Sequence, residues 1–392
     1  MEKNKLIFWP LAFLLFLGGC TGGNSGGTGT LKVSLTDLPS CGFDEVNVTV
    51  SKVRVHESNT VGGDDSGWRD ITLSPPRKIN LTSLVNGVLE DLGQTTLPAG
   101  HYTQLRLVLV PNSPTEPLNN SVLPAGGSGS ETAIDTPSAV QSGIKLIHEF
   151  DVEANTLVDL VLDFDACKSI VTKGDGKYAL KPVIHVIPMD VSGTIAGFVD
   201  PALADDNPMV FAEQGGEVVK STVPDENGSF TLSPLQQSAT AGDYDVVITA
   251  DNHATAMITS VPVTTGGTTT VASSANPINL NSSSTHTVSG TVTPESAEAL
   301  IRVSQTFSSG PAMEVRSNSA DLTDGTYSLT LPAEAPLLGS YEATLPITLT
   351  ADLSIAGVYD LEASAEGFTS QETSVDVSST DVTHDFTLTT VP

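Results

Sequence analysis

Two aspartates separated by one residue are the side chains in this sequence whose spacing most directly suggests chemistry. Asp163 and Asp165 lie in the segment Leu160-Val-Leu-Asp-Phe-Asp-Ala-Cys-Lys168. The alternation of a β-strand would place both carboxylates on one face, about 7 Å apart, and the apolar residues Leu160, Leu162 and Phe164 on the other. Such a pair can form a salt bridge with Lys168 or an arginine, or bind a hard cation. We expect the salt bridge, with a calcium-type site as the alternative; acid–base catalysis would need a cleft that the sequence does not reveal.

Other catalytic signatures fail on their context. The segment Gly23-Asn-Ser-Gly-Gly27 satisfies the nucleophile-elbow pattern G-x-S-x-G, but no strand precedes it and no helix follows it. The seven histidines are dispersed, and the sequence has no zinc-protease motif or Walker loop. His56 ends a strand-like segment and His101 follows a turn, positions where surface histidines outnumber metal ligands. We therefore predict no catalytic residue and no cofactor, with calcium at Asp163 and Asp165 as a candidate metal site.

The N-terminal segment has the pattern of an export signal. Lys3 and Lys5 precede an apolar run, and small residues stand directly before Cys20. The run is shorter than the roughly 20 residues that a bilayer-spanning helix needs. The segment Leu17-Gly-Gly-Cys20 resembles the bacterial lipoprotein box, which implies that residues 1–19 are a signal peptide and that Cys20 carries a lipid. Thr21 resembles the residue found there in lipoproteins sorted to the outer membrane, so we expect a lipid-anchored protein of the cell envelope.

Two cysteines remain after Cys20. Cys41 and Cys167 form an even pair, and in an oxidising compartment such a pair is expected to be a disulfide. In the chain-entropy model, closing a loop of this length contributes at most about 4 to 5 kcal/mol to stability. Two buried free thiols are the alternative, whereas a metal site lacks the Cys-x-x-Cys spacing or a nearby histidine.

The chain is strongly acidic, and unevenly so. Its 392 residues hold 46 Asp and Glu against 17 Lys and Arg, which argues against nucleic acid as a partner. Residues 28–190 hold 20 acidic and 12 basic side chains, whereas residues 191–392 hold 25 acidic and 3 basic ones. Solubility and mutual repulsion at an exposed surface explain this charge, and a diffuse sink for divalent cations is the alternative.

Hydrophobic patterning predicts an all-β protein. Residues 45–50, 102–109 and 244–249 are rich in β-branched residues or alternate in polarity, and clusters of Gly, Pro, Asn or Asp separate such segments. Many short strands with frequent turns are typical of β-sandwiches. One pattern fits a face of a helix, although Gly87 at its centre weakens that interpretation; its apolar residues are Leu81, Leu84, Val85, Val88, Leu89 and Leu92.

Composition and internal repetition divide the chain. Residues 20–29 form a lipidated cysteine and a flexible tether, and residues 30–190 form one larger domain. The segment Val191-Ser-Gly-Thr-Ile195 recurs as Val288-Ser-Gly-Thr-Val292, and the hairpin segment at 225–232 recurs at 324–329. Residues 191–281 and 286–390 therefore look like one module used twice, at a spacing that suits small β-sandwiches.

The repeated segments resemble the carboxypeptidase-regulatory-like, or transthyretin-like, β-sandwich family. Both copies carry the opening V-S-G-T strand, a D-x-x-G-x-F/Y-type hairpin and a G-x-Y-x-V/L strand, as in Gly242-Asp-Tyr-Asp-Val246 and Gly357-Val-Tyr-Asp-Leu361. The resemblance implies an Ig- or transthyretin-like fold, sometimes grouped with carbohydrate-binding-like domains, and no catalysis. Asp225 and Asp324 of the hairpins are candidate calcium ligands, but aspartate serves turns so often that we expect turn roles.

The larger domain resembles the bacterial domain of unknown function 4382 family. The resemblance spans nearly all of residues 29–187 and implies a β-rich envelope domain without an established activity. The segments that carry it include Gly29-Thr-Leu-Lys-Val-Ser-Leu-Thr-Asp37, Val46-Asn-Val-Thr-Val-Ser-Lys-Val53, Leu97-Pro-Ala-Gly100, Tyr102-Thr-Gln-Leu-Arg-Leu107, Asp163-Phe-Asp165 and Leu180-Lys-Pro-Val-Ile184.

These observations together predict a non-enzymatic, surface-tethered binding or structural protein. One larger β-sandwich would lie near the membrane, held there by the lipid anchor, and two smaller acidic sandwiches would act as spacers. An envelope protein or a glycan is the expected partner. A carbohydrate-binding or adhesive surface protein is the alternative, against which only 5% of the residues are aromatic. A divalent-cation-dependent enzyme is the third reading, and a cleft that groups His56, Asp163 and Asp165 would favour it.

Overall fold

The computed structural model describes residues 27–38, 42–125, 129–136, 142–173, 176–237 and 243–391. Strands dominate these residues, and the few helical segments are short. The all-β prediction is confirmed. The predicted signal peptide, Cys20 and most of the tether lie outside the described residues, and so does Cys41.

The first unit, residues 28–188, is a sandwich of two sheets. One sheet has the strand order β12-β9-β1-β4 and the other β10-β11-β7-β6-β2-β5-β8, with β3 also paired to β2. A hydrophobic cluster that includes Leu31, Leu105 and Phe164 draws residues from both sheets. The strands are β1 (Thr28–Leu38), β2 (Phe43–His56), β3 (Arg69–Asn80), β4 (Glu90–Pro98), β5 (Gly100–Leu109), β6 (Ser121–Pro124), β7 (Thr132–Asp135), β8 (Ile144–Val152), β9 (Leu157–Asp165), β10 (Ile170–Lys173), β11 (Lys177–Leu180) and β12 (Ile184–Pro188).

Two short helical elements belong to this unit. A one-turn helix, α1 (Ala166–Ser169), follows β9. The helix-like pattern that begins at Leu81 gives only a 3-10 turn over Leu81–Ser83. The interpretation of this segment as an α-helix is therefore wrong. The physical reason is the backbone: Asn86 and Gly87 have φ values of 56° and 77°, which end any right-handed helix.

The second unit, residues 192–280, and the third unit, residues 285–390, each surround a hydrophobic cluster of their own. The second unit holds β13 (Ser192–Phe198), β14 (Met209–Gln214), β15 (Glu217–Thr222), β16 (Ser229–Gln236), β17 (Asp243–Thr249), β18 (Ala256–Pro262) and β19 (Thr268–Thr270). The third holds β20 (Thr285–Thr293), β21 (Leu300–Thr306), β22 (Ala312–Ser319), β23 (Thr326–Pro332), β24 (Leu337–Ser340), β25 (Thr350–Ala351), β26 (Val358–Ser364), β27 (Phe368–Thr369), β28 (Gln371–Asp376), β29 (Val382–Thr383), β30 (Phe386–Thr387) and β31 (Thr389–Thr390). Four further 3-10 turns lie at Met189–Val191, Pro201–Asp206, Glu295–Ala297 and Leu353–Ile355.

The second and third units share a sheet. Its strand order is β15-β14-β17-β18-β24-β25, so two strands of the third unit complete a sheet of the second. Strand β24 runs parallel to β18, with Ala256 opposite Leu337, and Leu337 belongs to the hydrophobic cluster of the second unit. The predicted division between residues 281 and 286 is therefore crossed by strand pairing. Within the described ranges, no helix has the length and apolar character needed to cross a bilayer.

Candidate functional site

Strand β9 places Asp163 and Asp165 where other units cover them. Leu160, Leu162 and Phe164 belong to the hydrophobic cluster of the first unit, as strand alternation predicts. The two aspartates are 0% and 3% exposed. Both faces of this strand segment are thus buried, and the carboxylates meet side chains of the second and third units. We call this group of residues the junction: Asp37, Asp163, Asp165, Lys168, Lys220 and Glu314.

Lys220 of the second unit makes a buried ion pair with Asp163. The Lys220 Nζ atom lies 2.6 Å from Asp163 Oδ1, and the two side chains are 2% and 0% exposed. Burial raises the pKa of Asp163, and the Lys220 ammonium partly offsets this rise because it favours the ionised carboxylate. Removing one partner of such a pair is strongly destabilising, since the remaining charge stays buried without compensation.

Asp165 connects the end of β9 to the third unit. Its Oδ1 atom accepts a hydrogen bond from the Lys168 backbone N–H at 2.9 Å and so caps helix α1. The Lys168 ammonium lies 3.9 Å from Asp165 and 3.5 Å from Glu314 on β22. Burial raises the pKa of Asp165, and Lys168 counteracts this. Lys168 thus joins a carboxylate of the first unit to one of the third.

Asp37 is the most strongly perturbed carboxyl group of the junction. It is fully buried at the end of β1, and its Oδ1 atom accepts a hydrogen bond from the Ala166 N–H at 3.1 Å. Burial raises the pKa of Asp37 well above its usual value, and the nearby charges of Asp163 and Asp165 raise it further. Its Oδ2 atom has no hydrogen-bond partner among the described residues. These causes favour the protonated form, which avoids a third negative charge in this buried space.

The few basic side chains of the acidic half all serve contacts between units. Residues 191–392 contain three of them, Lys220, Arg302 and Arg316. Lys220 reaches Asp163 of the first unit. Arg302 of the third unit donates to the Gly216 carbonyl of the second at 3.4 Å, and Arg316 lies 3.3 Å from Asp251 of the second. All three bases therefore link different units.

A buried acid makes a hydrogen bond between the second and third units. Glu213 on β14 is 0% exposed, and its Oε2 atom accepts a hydrogen bond from the Glu314 backbone N–H at 3.0 Å. Burial raises the pKa of Glu213 well above its usual value, and that hydrogen bond works in the opposite direction. Glu314 therefore contacts both neighbouring units, through Lys168 and through Glu213.

Asn86 adds an uncharged link between the first and second units. Its backbone N–H and its side-chain amide donate to Thr222 Oγ1 and to the Val223 carbonyl, both at 2.8 Å. Its Oδ1 atom accepts from Thr222 Oγ1 at 2.9 Å and from the Thr231 N–H at 3.0 Å. The left-handed backbone at Asn86 turns this side chain out of the first unit.

The other side chains considered from the sequence have local roles. His56 accepts from the Ser58 N–H at 2.9 Å, and its ring centroid lies 5.2 Å from that of Trp68. These contacts of His56 do not include Asp163 or Asp165. They therefore do not form the cleft of His56, Asp163 and Asp165 that would favour an enzyme. His101 Nδ1 lies 2.8 Å from Asp151.

The hairpin aspartates Asp225 and Asp324 hold turns. Asp225 Oδ1 accepts from the backbone N–H groups of Asn227 and Ser229, at 2.9 and 2.8 Å. Asp324 Oδ1 accepts from the N–H of Thr326 at 3.0 Å and from its hydroxyl at 2.7 Å. These bonds are those of the turn roles that the sequence predicts.

Of the three cysteines, the structure describes only Cys167. Cys167, which lies in α1, is disulfide-bonded. Because Cys41 lies outside the described residues, the pairing of Cys41 with Cys167 stays a prediction, and so does lipidation at Cys20.

The geometry at Asp163 and Asp165 is that of an ionic contact. In the part of the chain that the structure describes, no three His, Cys, Asp or Glu side chains are arranged to hold a metal ion. A lysine ammonium lies beside each aspartate instead. The sequence interpretation named Lys168 or an arginine as the partner and missed Lys220. Its signal was nevertheless present, because Lys220 is the one basic residue between Val191 and Ile301.

Comparisons with solved structures give only distant similarities. A type II cohesin–X–dockerin complex from Acetivibrio cellulolyticus is 27% identical over 23% of this chain, with a TM-score of 0.18, and the matched region spans 58% of that protein. The C-terminal fragment of the pilus adhesin SpaC from Lactobacillus rhamnosus GG is 9% identical over 92% of this chain and 97% of its own, with a TM-score of 0.14. The full-length major pilin RrgB from Streptococcus pneumoniae is 9% identical over 92% of this chain and 66% of its own, with a TM-score of 0.15. TM-scores of this size carry no argument about fold or function.

Sequence comparison is informative for the first unit. No curated protein matches the chain. The resemblance of residues 191–281 and 286–390 to carboxypeptidase-regulatory-like modules stays a prediction. The model of one protein family, described as a domain of unknown function (DUF4382), matches residues 28–182. The first unit, with β9 and its two aspartates, is therefore a DUF4382 domain.

Proposed function

We propose that this chain is a non-enzymatic lipoprotein of the cell envelope whose three units form one stiff arm. The observation that carries the proposal is the placement of Lys220, Arg302 and Arg316. These are the three bases among 25 acidic residues in residues 191–392, and each contacts a different unit from its own. A flexible string of acidic domains would need no such contacts, because mutual repulsion alone would extend it.

The buried pair at the junction supports a fixed orientation in particular. An exposed ion pair contributes about 0–1 kcal/mol and leaves its side chains mobile. The Asp163–Lys220 pair is shielded from water on both sides, so a small shift of one unit along the other would part the two charges while both are still buried. The sheet shared by β18 and β24 gives the second and third units a backbone connection as well.

The anchor would keep the first unit close to the membrane. In the lipoprotein reading, several acyl chains on Cys20 give stable attachment. Residues 21–28 span less than about 30 Å even when fully extended. The first unit would then face a membrane-proximal partner, an envelope protein or a glycan, while the acidic units project outward. No cofactor is needed for this role.

Metabolic labelling tests the anchor. Cells that express the full chain should incorporate labelled palmitate into it and process it before residue 20. The Cys20→Ser variant should do neither, because the acylated sulfur is absent. Normal processing of that variant would contradict the lipoprotein assignment.

Distance measurements between spin labels test the stiff arm. Leu157 in the first unit and Leu353 in the third are 58% and 80% exposed, so the variant Leu157→Cys/Leu353→Cys can be labelled in protein that begins at residue 21. We expect one narrow distance distribution. Adding Lys220→Met should broaden it, because the buried link between the first two units is lost.

The matched control is Lys181→Met. Lys181 also crosses between units, 3.6 Å from Glu298, but these side chains are 46% and 53% exposed. This substitution should leave the distribution narrow. A broad distribution before any junction substitution would refute the stiff arm, as would equal broadening by both variants.

A further inference from the structure

Strands β8 and β12 leave two sheet edges open on the same side of the first unit. Each is the last strand of its sheet, and among the described residues no strand pairs with the outer edge of either. A groove of about 730 Å³ lies between them, lined mainly by residues 144–148 of β8 and by residues 182 and 184–186 around β12. We call it the edge groove. An open strand edge presents unpaired N–H and C=O groups to any extended chain that reaches it.

The charge of the edge groove is opposite to that of the molecule. Among the described residues, its charged or titratable side chains are Arg106, Lys145, His148 and His185, with no carboxylate. The whole chain has 46 acidic residues against 17 basic ones. A basic groove on so acidic a protein would attract an anionic ligand.

The basic groups of the groove differ in their availability. The Arg106 guanidinium donates to the carbonyls of Ser142 and Val61 and lies 5.2 Å from the Trp68 ring centroid, so it is already engaged. Lys145 and His185 are exposed, and Lys145 makes no ion pair with a described residue. The Nε2 atom of His148 is buried without a hydrogen-bond partner in the described part of the chain. Burial lowers the pKa of His148, and His185 stands opposite Asp163 in the pairing of β12 with β9. Lys145 is thus the charged group left for a ligand.

The groove also offers apolar surface beside these groups. Ile147 is 57% exposed on β8, although most large aliphatic side chains of this unit are buried. Ile184 and Val186 of β12 are partly buried and also line the groove. Lys145 and Ile147 stand two residues apart, so they share one face of the strand. In a ligand strand that alternates acidic and aliphatic groups, the acidic groups would meet Lys145 on this face and the aliphatic groups would point to the opposite face.

The regular part of β8 sets where such a ligand would pair. Residues 144–147 pair in register with β5, from Ile144 opposite Leu107 to Ile147 opposite Gln104. The register then shifts at His148 and Glu149, which form a bulge. A bulge interrupts the row of regularly spaced backbone groups, so pairing would be limited to residues 144–147.

We propose that the edge groove binds an extended acidic polypeptide segment, which adds to strand β8 and places its carboxylates against Lys145. The main-chain hydrogen bonds of strand addition would supply affinity, and alternate side chains would supply specificity. An anionic polysaccharide shares the charge but cannot continue a β-sheet. This distinguishes the two ligand classes in the test.

Trp68 provides an intrinsic signal for the test. The sequence has two tryptophans, Trp9 and Trp68, so protein that begins at residue 21 retains only Trp68, which packs against Arg106 of the groove. The probe is an acetylated eight-residue peptide of alternating Glu and Val, titrated at low salt. We expect a saturable change in Trp68 fluorescence and heat of binding in calorimetry. A Lys-Val peptide and a Glu-Pro peptide, which cannot pair as a strand, should not bind.

Substitutions locate the site. Lys145→Gln should weaken binding of the Glu-Val peptide about tenfold, the equivalent of about 1.4 kcal/mol. Ile147→Asp should weaken it at least as much, because it adds a negative charge to an exposed position. Lys78→Gln, which removes a charge from β3, is the control and should leave binding unchanged, with thermal unfolding confirming that all three variants fold.

Four outcomes would overturn the proposal. If the Lys-Val peptide bound as tightly as the Glu-Val peptide, charge would not be the basis of recognition. Equal binding of the Glu-Pro peptide would remove strand addition. Binding of polygalacturonate without binding of the Glu-Val peptide would assign the groove to polysaccharide. If neither polygalacturonate nor the Glu-Val peptide bound, the groove would not be a binding site. Lys145 and the bulge would then serve to protect the strand edge from unwanted pairing.

Discussion

Strand β12 separates two charged regions of the first unit that are built in opposite ways. On the covered face of its sheet, the junction buries Asp163 together with Lys220 and joins the carboxylate to another unit. At the edge of the other sheet, Lys145 is exposed, and no carboxylate of a described residue lines the groove. A buried pair holds two surfaces in one arrangement, whereas an unpaired exposed charge remains free to meet a ligand. The same residue type, lysine, therefore serves assembly in one region and, in our proposal, recognition in the other.

The largest expected effect comes from removing one lysine from each region. Lys220→Met should lower the free energy of unfolding by about 3 to 5 kcal/mol, because Asp163 would stay buried without its partner. Lys145→Met should change it by less than about 0.5 kcal/mol, since this side chain is exposed. Urea unfolding at pH 7 measures both values. Similar losses in the two variants would remove the distinction between the regions.

A double variant sharpens the interpretation of that loss. If the destabilisation of Lys220→Met arises from an uncompensated charge, Lys220→Met/Asp163→Leu should recover most of the lost stability, because a packed apolar pair can replace a buried ion pair. If it arises from lost packing around Lys220, the double variant should be no more stable than the single one.

A smaller effect concerns the pH dependence of the junction. The pKa of Asp37 is raised in the folded state above its ordinary value of 3.8, so the folded protein binds a proton that the unfolded chain has released. Its contribution to stability is complete below pH 3.8 and falls as the pH rises towards the folded-state pKa. Asp37→Asn should remove this fall, and its stability relative to the unsubstituted protein should increase with pH by up to about 1.4 kcal/mol per pH unit in that range.

Urea unfolding between pH 4 and pH 8 measures this difference. Asp135→Asn is a suitable control because Asp135 is exposed on β7, with 58% of its side chain accessible. Burial also raises the pKa of Asp163, Asp165 and Glu213, so the stability of Asp37→Asn should still fall in part as the pH rises. Identical pH profiles for Asp37→Asn and the unsubstituted protein would refute the assignment.

Local patterns in the sequence predicted local structure well. The alternation around Asp163 placed Leu160, Leu162 and Phe164 in the core, where they are found. Period-two patterning works because it depends only on the strand itself.

Contacts between distant parts of the chain could not be predicted in the same way. The partner of Asp163 is 57 residues away in another unit, and no period in the sequence encodes such a distance. The segment from Leu81 to Leu92 shows the reverse problem. Leu81, Leu84 and Leu92 are buried, as a helix face would be, but they reach the core from a turn and a strand. The Asn86-Gly87 pair was a stronger signal than the apolar spacing.

The pairing of β18 with β24 imposes an order on how the chain can complete its fold. The sheet that begins with Met209 on β14 lacks its last two strands until residues 337–351 are available. While the chain is being synthesised or is crossing a membrane, the outer edge of β18 and the cluster that receives Leu337 stay open for at least 75 further residues after Pro262. During that interval the growing chain exposes β18 as an unpaired strand. A chaperone that shields β18 would act on the second unit, although the strand that finally pairs with it, β24, belongs to the third.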